Sequence, residues 1–205
     1  MKRNVIFVLA AFVFAVLVAG CGGASTGNAE ADKALDAMKL DEKAPTLGPV
    51  YRDFTVKFFQ DDYDGCWDLI SKDSQKDFGT MVQPMIDAIK KMDKTQLDAA
   101  IKTTKDKLPN IKDEKEKMQA EFQIKLYEAA KEDFKDLPDP KSYFVLFMKL
   151  TPKSIVIDEL KKDTVVEEKI AEDGKTGYIT TKADDKEEKK KFVNEDGQWK
   201  MVFGD

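Results

Sequence analysis

The chain has 205 residues, 42% of them hydrophobic and 36% charged, with a formal net charge of −5 and no histidine. Its interleaved lysines and carboxylates leave no basic stripe to track a phosphate backbone, which argues against a nucleic-acid partner. The missing histidine removes Ser-His-Asp triads, histidine-ligated zinc and histidine proton shuttles.

Lys2 and Arg3 begin the chain with positive charge, which favours a cytoplasmic start. Val5 to Val18 is then an unbroken apolar run of about fourteen residues, within the roughly 7–15 of a signal peptide and short of the ~20 that span a bilayer. Small Ala19 and Gly20 give a peptidase access to the bond before Cys21. The Cys21 thiol can take a diacylglyceryl group through a thioether, and the amine freed by cleavage can take an acyl chain such as palmitate. The charged start, apolar core and closing Val18-Ala19-Gly20-Cys21 together resemble the bacterial lipoprotein signal. The resemblance implies cleavage between Gly20 and Cys21, lipidation of Cys21 and a membrane-held mature chain. At ~0.8 kcal/mol per buried methylene, two or three acyl chains anchor such a body stably. Gly22, where an aspartate would retain the protein, implies the periplasmic side of the outer membrane in a two-membrane bacterium. With a single membrane, the same anchor implies the outer face of the plasma membrane. Loss of residues 1–20 takes the formal charge from −5 to −7.

Gly22 to Asn28 is small and polar and reads as a flexible tether. Ala29 to Leu40 has the pattern of a short helix with Leu35 and Met38 on one side. Pro45, Gly48 and Pro49 interrupt it, so residues 21–46 are expected to be lipidated cysteine plus spacer, and residues 47–205 one domain. Val50, Phe54 and Phe58 predict a helix with one apolar face. Asp61 to Gly65 is a polar turn, with Asp64 expected to cap a second helix bearing Trp67 and Ile70. Phe78, Met81, Val82, Met85, Ile86, Ile89 and Met92 predict a third helix, broken or kinked near Gln83 by Pro84. Leu97, Ile101 and Leu108 predict a fourth, stopped by Pro109. Met118, Phe122, Leu126 and Ala129 predict a fifth, opened by Asn110 or Asp113. Tyr143 to Met148 is apolar enough to be buried, and periodicity does not choose helix or strand for it. From Ile155-Val156-Ile157 onward the pattern predicts strands. Turns at Glu172 to Lys175, Ala183 to Lys186 and Asn194 to Gly197, the last with an Asp-Gly hairpin signal, make the end of the chain an antiparallel meander.

Helices followed by such a sheet make an α+β fold. Val50, Phe54, Phe58 and Phe59, then Asp62-Tyr63-Asp64 and Trp67 to Ser71, resemble the opening of bacterial lipoproteins with a nuclear-transport-factor-two-like (cystatin-like cone) domain. Phe192 to Met201 resembles the last hairpin of that family. The resemblance covers about residues 47–82 and 153–205. It implies helices packed on a curved C-terminal sheet that forms a cone, with residues 84–140 as a helical insertion. On that plan Tyr51, Phe54, Phe58, Trp67, Tyr178 and Trp199 lie on or near the cone, as a ligand pocket or as simple core.

Asp62-x-Asp64-Gly65 fails as a calcium loop, because Gln60 and Ser71 stand where acidic residues belong. No metal site and no cofactor is expected. Cys66 has no internal disulfide partner once Cys21 is lipidated; it reads as a small buried side chain, or else as an exported reactive thiol or intermolecular bridge. The expected function is a non-enzymatic, lipid-anchored envelope protein that binds a small apolar ligand or an envelope partner protein. One alternative is a cone-fold isomerase or cyclase using a pocket Asp or Tyr. Another is a structural protein docking through the middle helices, which requires an exposed stripe at Met118, Phe122 and Leu126.

Overall fold

The computed structural model describes residues 25–132, 139–183 and 186–203. The signal segment, Cys21 and the Asp184-Asp185 turn lie outside them. The fold is α+β, with helices leading to a C-terminal four-stranded antiparallel sheet. The described chain divides into two compact units, residues 76–150 and residues 25–75 with 151–203.

The sheet-bearing unit begins earlier than a tether to residue 46 allows. Asn28 caps α1 (Ala29–Ala37) by accepting from the backbone N–H of Glu30 and Ala31. Ala31, Leu35, Leu40, Ala44 and Leu47 are essentially inaccessible. Leu40 belongs to the short α2 (Leu40–Lys43). Each leucine so buried contributes roughly 1.5–3 kcal/mol, which overrides the spacer-like composition. α3 (Gly48–Phe59) buries Tyr51, Phe54, Thr55 and Phe58, with Pro49 in its first turn. Just past its C-terminal cap, Asp61 has a positive φ of 61°. Lys153 holds the Asp61 carboxylate at 2.8 Å and the Tyr63 hydroxyl donates to it at 2.5 Å. Asp62, not Asp64, caps α4 (Tyr63–Asp68), accepting from Gly65 N–H at 2.9 Å. A Cβ on residue 65 would lie 2.2 Å from the Asp62 carboxylate and push it out of this cap, so glycine lets the cap form.

α5 (Lys72–Lys90) starts in this unit and continues into the helical one. α9 (Lys153–Lys162) occupies the stretch expected as the first strand. Val156, Ile157 and Leu160 form its buried stripe, and Lys161 and Lys162 complement its C-terminal dipole. This helical spacing prevails over the strand preference of Ile155-Val156-Ile157.

The sheet is a meander in the order β1 (Asp163–Ile170), β2 (Thr176–Ala183), β3 (Lys186–Glu195), β4 (Gln198–Met201). Asp196 and Gly197 both have positive φ between paired Glu195 and Gln198, as a two-residue type I′ turn requires. Beyond β4, Ser71 N–H donates to Met201 O and Met201 N–H to Leu69 O, each at 2.8 Å. On the β1 side Lys43 donates to Val165 O, and the Glu168 carboxylate accepts from Leu47 N–H at 2.7 Å. These contacts occupy backbone and side-chain groups that an open edge would offer to another chain.

The helical unit holds the rest of α5, α6 (Lys94–Lys107), α7 (Glu114–Glu132) and α8 (Pro140–Leu150). α5 runs through Pro84 instead of breaking, with Pro84 on its exposed side and Phe78, Val82, Ile86 and Ile89 buried. Asp93 and Gln96 close a reciprocal capping box on α6, and a 3₁₀ turn containing Pro109 follows it. Asp113 caps α7, accepting from Glu116 N–H at 2.8 Å. Tyr143 to Met148 is helical and sits within α8. Phe122 packs on Tyr143 and on Phe147, with centroids 6.2 and 5.2 Å apart, and Leu126 is 2% exposed. These two residues therefore do not form the open stripe required for docking; the Met118 side chain lies outside the description.

Candidate functional site

The inner face of the sheet follows from its register. β1 pairs Val165 with Thr181, β2 pairs Thr181 with Glu188 and Ile179 with Lys190, and β3 pairs Phe192 with Met201. Because side chains alternate along a strand, Asp163, Val165, Ile179, Thr181, Glu188, Lys190 and Phe192 share one face. Its apolar end closes on α3, where the Tyr51 ring meets Phe192 edge-on at 6.1 Å. Leu47 packs so closely over Gly177 that a Cβ there would come within 2.8 Å of it.

The other end of this face is polar. Asp163 is 8% exposed and Lys190 6%, while Tyr51 and Thr181 are fully buried. Lys190 donates to the Glu188 carboxylate, whose own side chain is 59% exposed. The Tyr51 hydroxyl has no hydrogen-bond partner among the described residues. Burial raises the Asp163 carboxyl above its ordinary range; Lys190 and the adjacent Thr181 hydroxyl oppose the rise, while Glu188 and Glu159 add to it. Burial also holds the Tyr51 phenol protonated well beyond its ordinary range, with the negative charges of Asp163 and Glu188 adding to the effect. A carboxyl, an ammonium and two hydroxyls thus converge in a largely dry environment. Such a set can hold a small polar molecule by several hydrogen bonds, or move a proton.

The expected pocket aromatics do not form one lining. Tyr51, Phe54 and Phe58 are fully buried and Trp67 is 9% exposed. Phe54 meets Phe203 at 6.0 Å, and Phe58 meets Phe59 and Tyr63 at 5.4 and 5.9 Å. Trp199 is half-buried on the inner-face side of β4, two residues before Met201. Tyr178 lies between inward Gly177 and Ile179, so it points to the opposite face and is separated from the rest. Asp163, Thr181 and Lys190 were not singled out by the sequence pattern. The available signal was Phe192: an inward Phe192 makes Lys190 inward as well.

Cys66 is fully buried, and its Sγ donates to Phe54 O at 3.4 Å. Burial pushes the thiol pKa far up, as suits an unreactive packing residue. Among the described residues no group of three or more Cys, Asp or Glu is placed to hold a metal ion, and no helix is long and apolar enough to cross a membrane. The chain was compared with known protein families, curated proteins and solved structures, and it matches none of them.

Proposed function

We propose that the protein is a lipid-anchored envelope protein whose sheet-bearing unit is a binding domain. The observation that carries this is the uninterrupted apolar run from Val5 closing on Val18-Ala19-Gly20-Cys21. The sheet-bearing unit would follow the cone plan, with α3 across a curved meander and residues 84–140 inserted between its two halves. The ring contacts of Phe54 and Phe58 argue for core packing at those positions, which moves the binding reading from an apolar ligand toward the polar groups of the inner face. Cys21→Ser tests the anchor. The variant is expected to remain unprocessed or to leave the membrane fraction, without incorporating labelled fatty acid. A variant recovered in the membrane at mature size would show that the attachment is made elsewhere.

A second reading, an isomerase- or cyclase-type enzyme, is favoured by one observation: a buried carboxyl and a buried phenol, Asp163 and Tyr51, share one site. In that reading Asp163 moves a proton, and Tyr51 donates to the oxygen on which charge develops.

A further inference from the structure

The face of the sheet turned away from α3 carries charges that the linear sequence interleaves and the strand register sorts. Tyr178 pairs with Lys169 on β1 and with Lys191 on β3, so a half-buried ring has a lysine on each side of it. The next row pairs Glu167 with Thr180 and Thr180 with Lys189, and on the other side Val193 pairs with Lys200. Alternation along β2 adds Lys182. Among the described residues this face therefore holds five lysines against three carboxylates, Glu167, Glu187 and Glu195. Glu187 lies opposite Lys182 near one end of β3, and Glu195, at its other end, accepts from Lys72 N–H. Only Glu167 stands near the ring. Lys169, Lys182 and Lys189 are exposed and form no ion pair among the described residues. Lys200 Nζ donates to Asp68 O at 2.7 Å, which satisfies a hydrogen bond without cancelling the charge.

We propose that this outer face docks an acidic polysaccharide, a chain of sugar rings bearing carboxylates. This occupant goes beyond the inner-face cluster and rests on reading the protein as an exported, anchored binding domain. Charge gives the sign. A chain of net charge −5 repels a polyanion as a whole, and the lysine excess makes this face the place where one can settle. Tyr178 gives the shape. A tyrosine on an open sheet offers apolar area to the C–H face of a sugar ring. Lys169 and Lys191 stand one strand spacing, ~4.8 Å, to either side, within reach of carboxylates on the adjoining rings. A second copy of this chain would set lysine against lysine. A bilayer fits less well, because Ser25 O accepts from Gln60 at the end of the helix that covers the inner face. A lipid on Cys21 would thus leave the body on the helix side of the sheet, away from these lysines.

The test is calorimetric titration of the full chain in non-ionic detergent with polygalacturonate, dextran, oligothymidylate and dihexanoylphosphatidylglycerol in parallel. Polygalacturonate is expected to bind saturably and most tightly, and to weaken as salt is raised. Lys169→Gln combined with Lys191→Gln is expected to weaken it roughly tenfold or more and to flatten the salt dependence. Tyr178→Leu is expected to weaken it about fivefold with the salt dependence unchanged. Glu167→Gln, which removes the carboxylate nearest the ring, is expected to tighten binding, a gain that misfolding does not produce. Lys94→Gln combined with Lys112→Gln removes the same charge from exposed positions of the helical unit and is expected to bind as the wild type. An equal loss in that control pair, or no gain from Glu167→Gln, overturns the face as the site. Dextran bound as tightly as polygalacturonate, or tighter binding of oligothymidylate or the phospholipid, overturns the partner class. Binding of none of the four overturns the site and leaves the Cys21 test untouched.

Discussion

Asp163 shows how one buried carboxyl sets a pH response. Its folded pKa lies above its unfolded value because burial outweighs the help of Lys190 and Thr181. A carboxyl of this kind lowers stability at neutral pH. That cost vanishes as the pH falls through the raised folded value toward the unfolded value, near 3.9. Asp163→Asn removes the charge but leaves Lys190 its Glu188 partner, so no ammonium is stranded. The variant is expected to be at least as stable as the wild type at pH 7, with any advantage shrinking to nothing near pH 4. Urea unfolding at the two pH values checks this. A clear loss of stability at pH 7 would show that Lys190 depends on Asp163 after all. Little of this was legible in the sequence: Lys190 lies within a run of charge from Lys186 to Lys191, and only its two-residue spacing from inward Phe192 sets it apart from its solvated neighbours.

At the level of elements, legibility followed the strength of the local signal. β2 falls between the two turns expected at Glu172 to Lys175 and Ala183 to Lys186, because turn residues punctuate the chain on both sides of it. The Asp196-Gly197 turn was equally clear, since few other residues accept two consecutive positive φ angles. α9 was misjudged because three adjacent β-branched residues favour a strand locally. Burial of Val156, Ile157 and Leu160 on one helical stripe decided otherwise. Pro84 is the converse case. Its ring and missing N–H disfavour a helix interior, yet α5 continues through it, held by Phe78 and Val82 before it and Ile86 and Ile89 after it. Pro84→Ala restores the N–H and relieves the ring clash at an exposed position. It should stabilise the protein by up to about 3 kcal/mol, read as a higher urea midpoint at unchanged slope. A lower midpoint would mean that the proline shapes α5 in a way its neighbours require.

For the whole molecule, the main departure from the sequence reading is where the folded body begins. Pro45, Gly48 and Pro49 interrupt the chain after the short helix expected over Ala29 to Leu40, which suggested a spacer up to residue 46. Leu35, Leu40 and Leu47 are nevertheless sealed into the sheet-bearing unit. Arg52 pairs with Asp36 at 3.1 Å, and Lys161 pairs with Glu30. Amide hydrogen exchange is expected to reflect this. The amides of α1 should exchange on the order of a hundredfold or more slower than an unstructured chain. Exchange at the unstructured rate would restore the tether.

The contacts around Ser25 set how far a lipid on Cys21 would let the folded body range. Gln60 donates to Ser25 O at 2.8 Å, and the Ser25 hydroxyl and Thr26 N–H both reach Asp32, at 2.7 and 2.8 Å. Ser25 lies four residues beyond Cys21, and a fully extended chain advances at most about 3.6 Å per residue. An acylated Cys21 would therefore hold the body within about 14 Å of the lipid, against roughly 90 Å for a spacer reaching residue 46. So short a leash would keep the unit against the membrane surface, free to rotate but unable to range far from it. Whatever such an anchored unit bound would have to arrive at that surface, or already reside there.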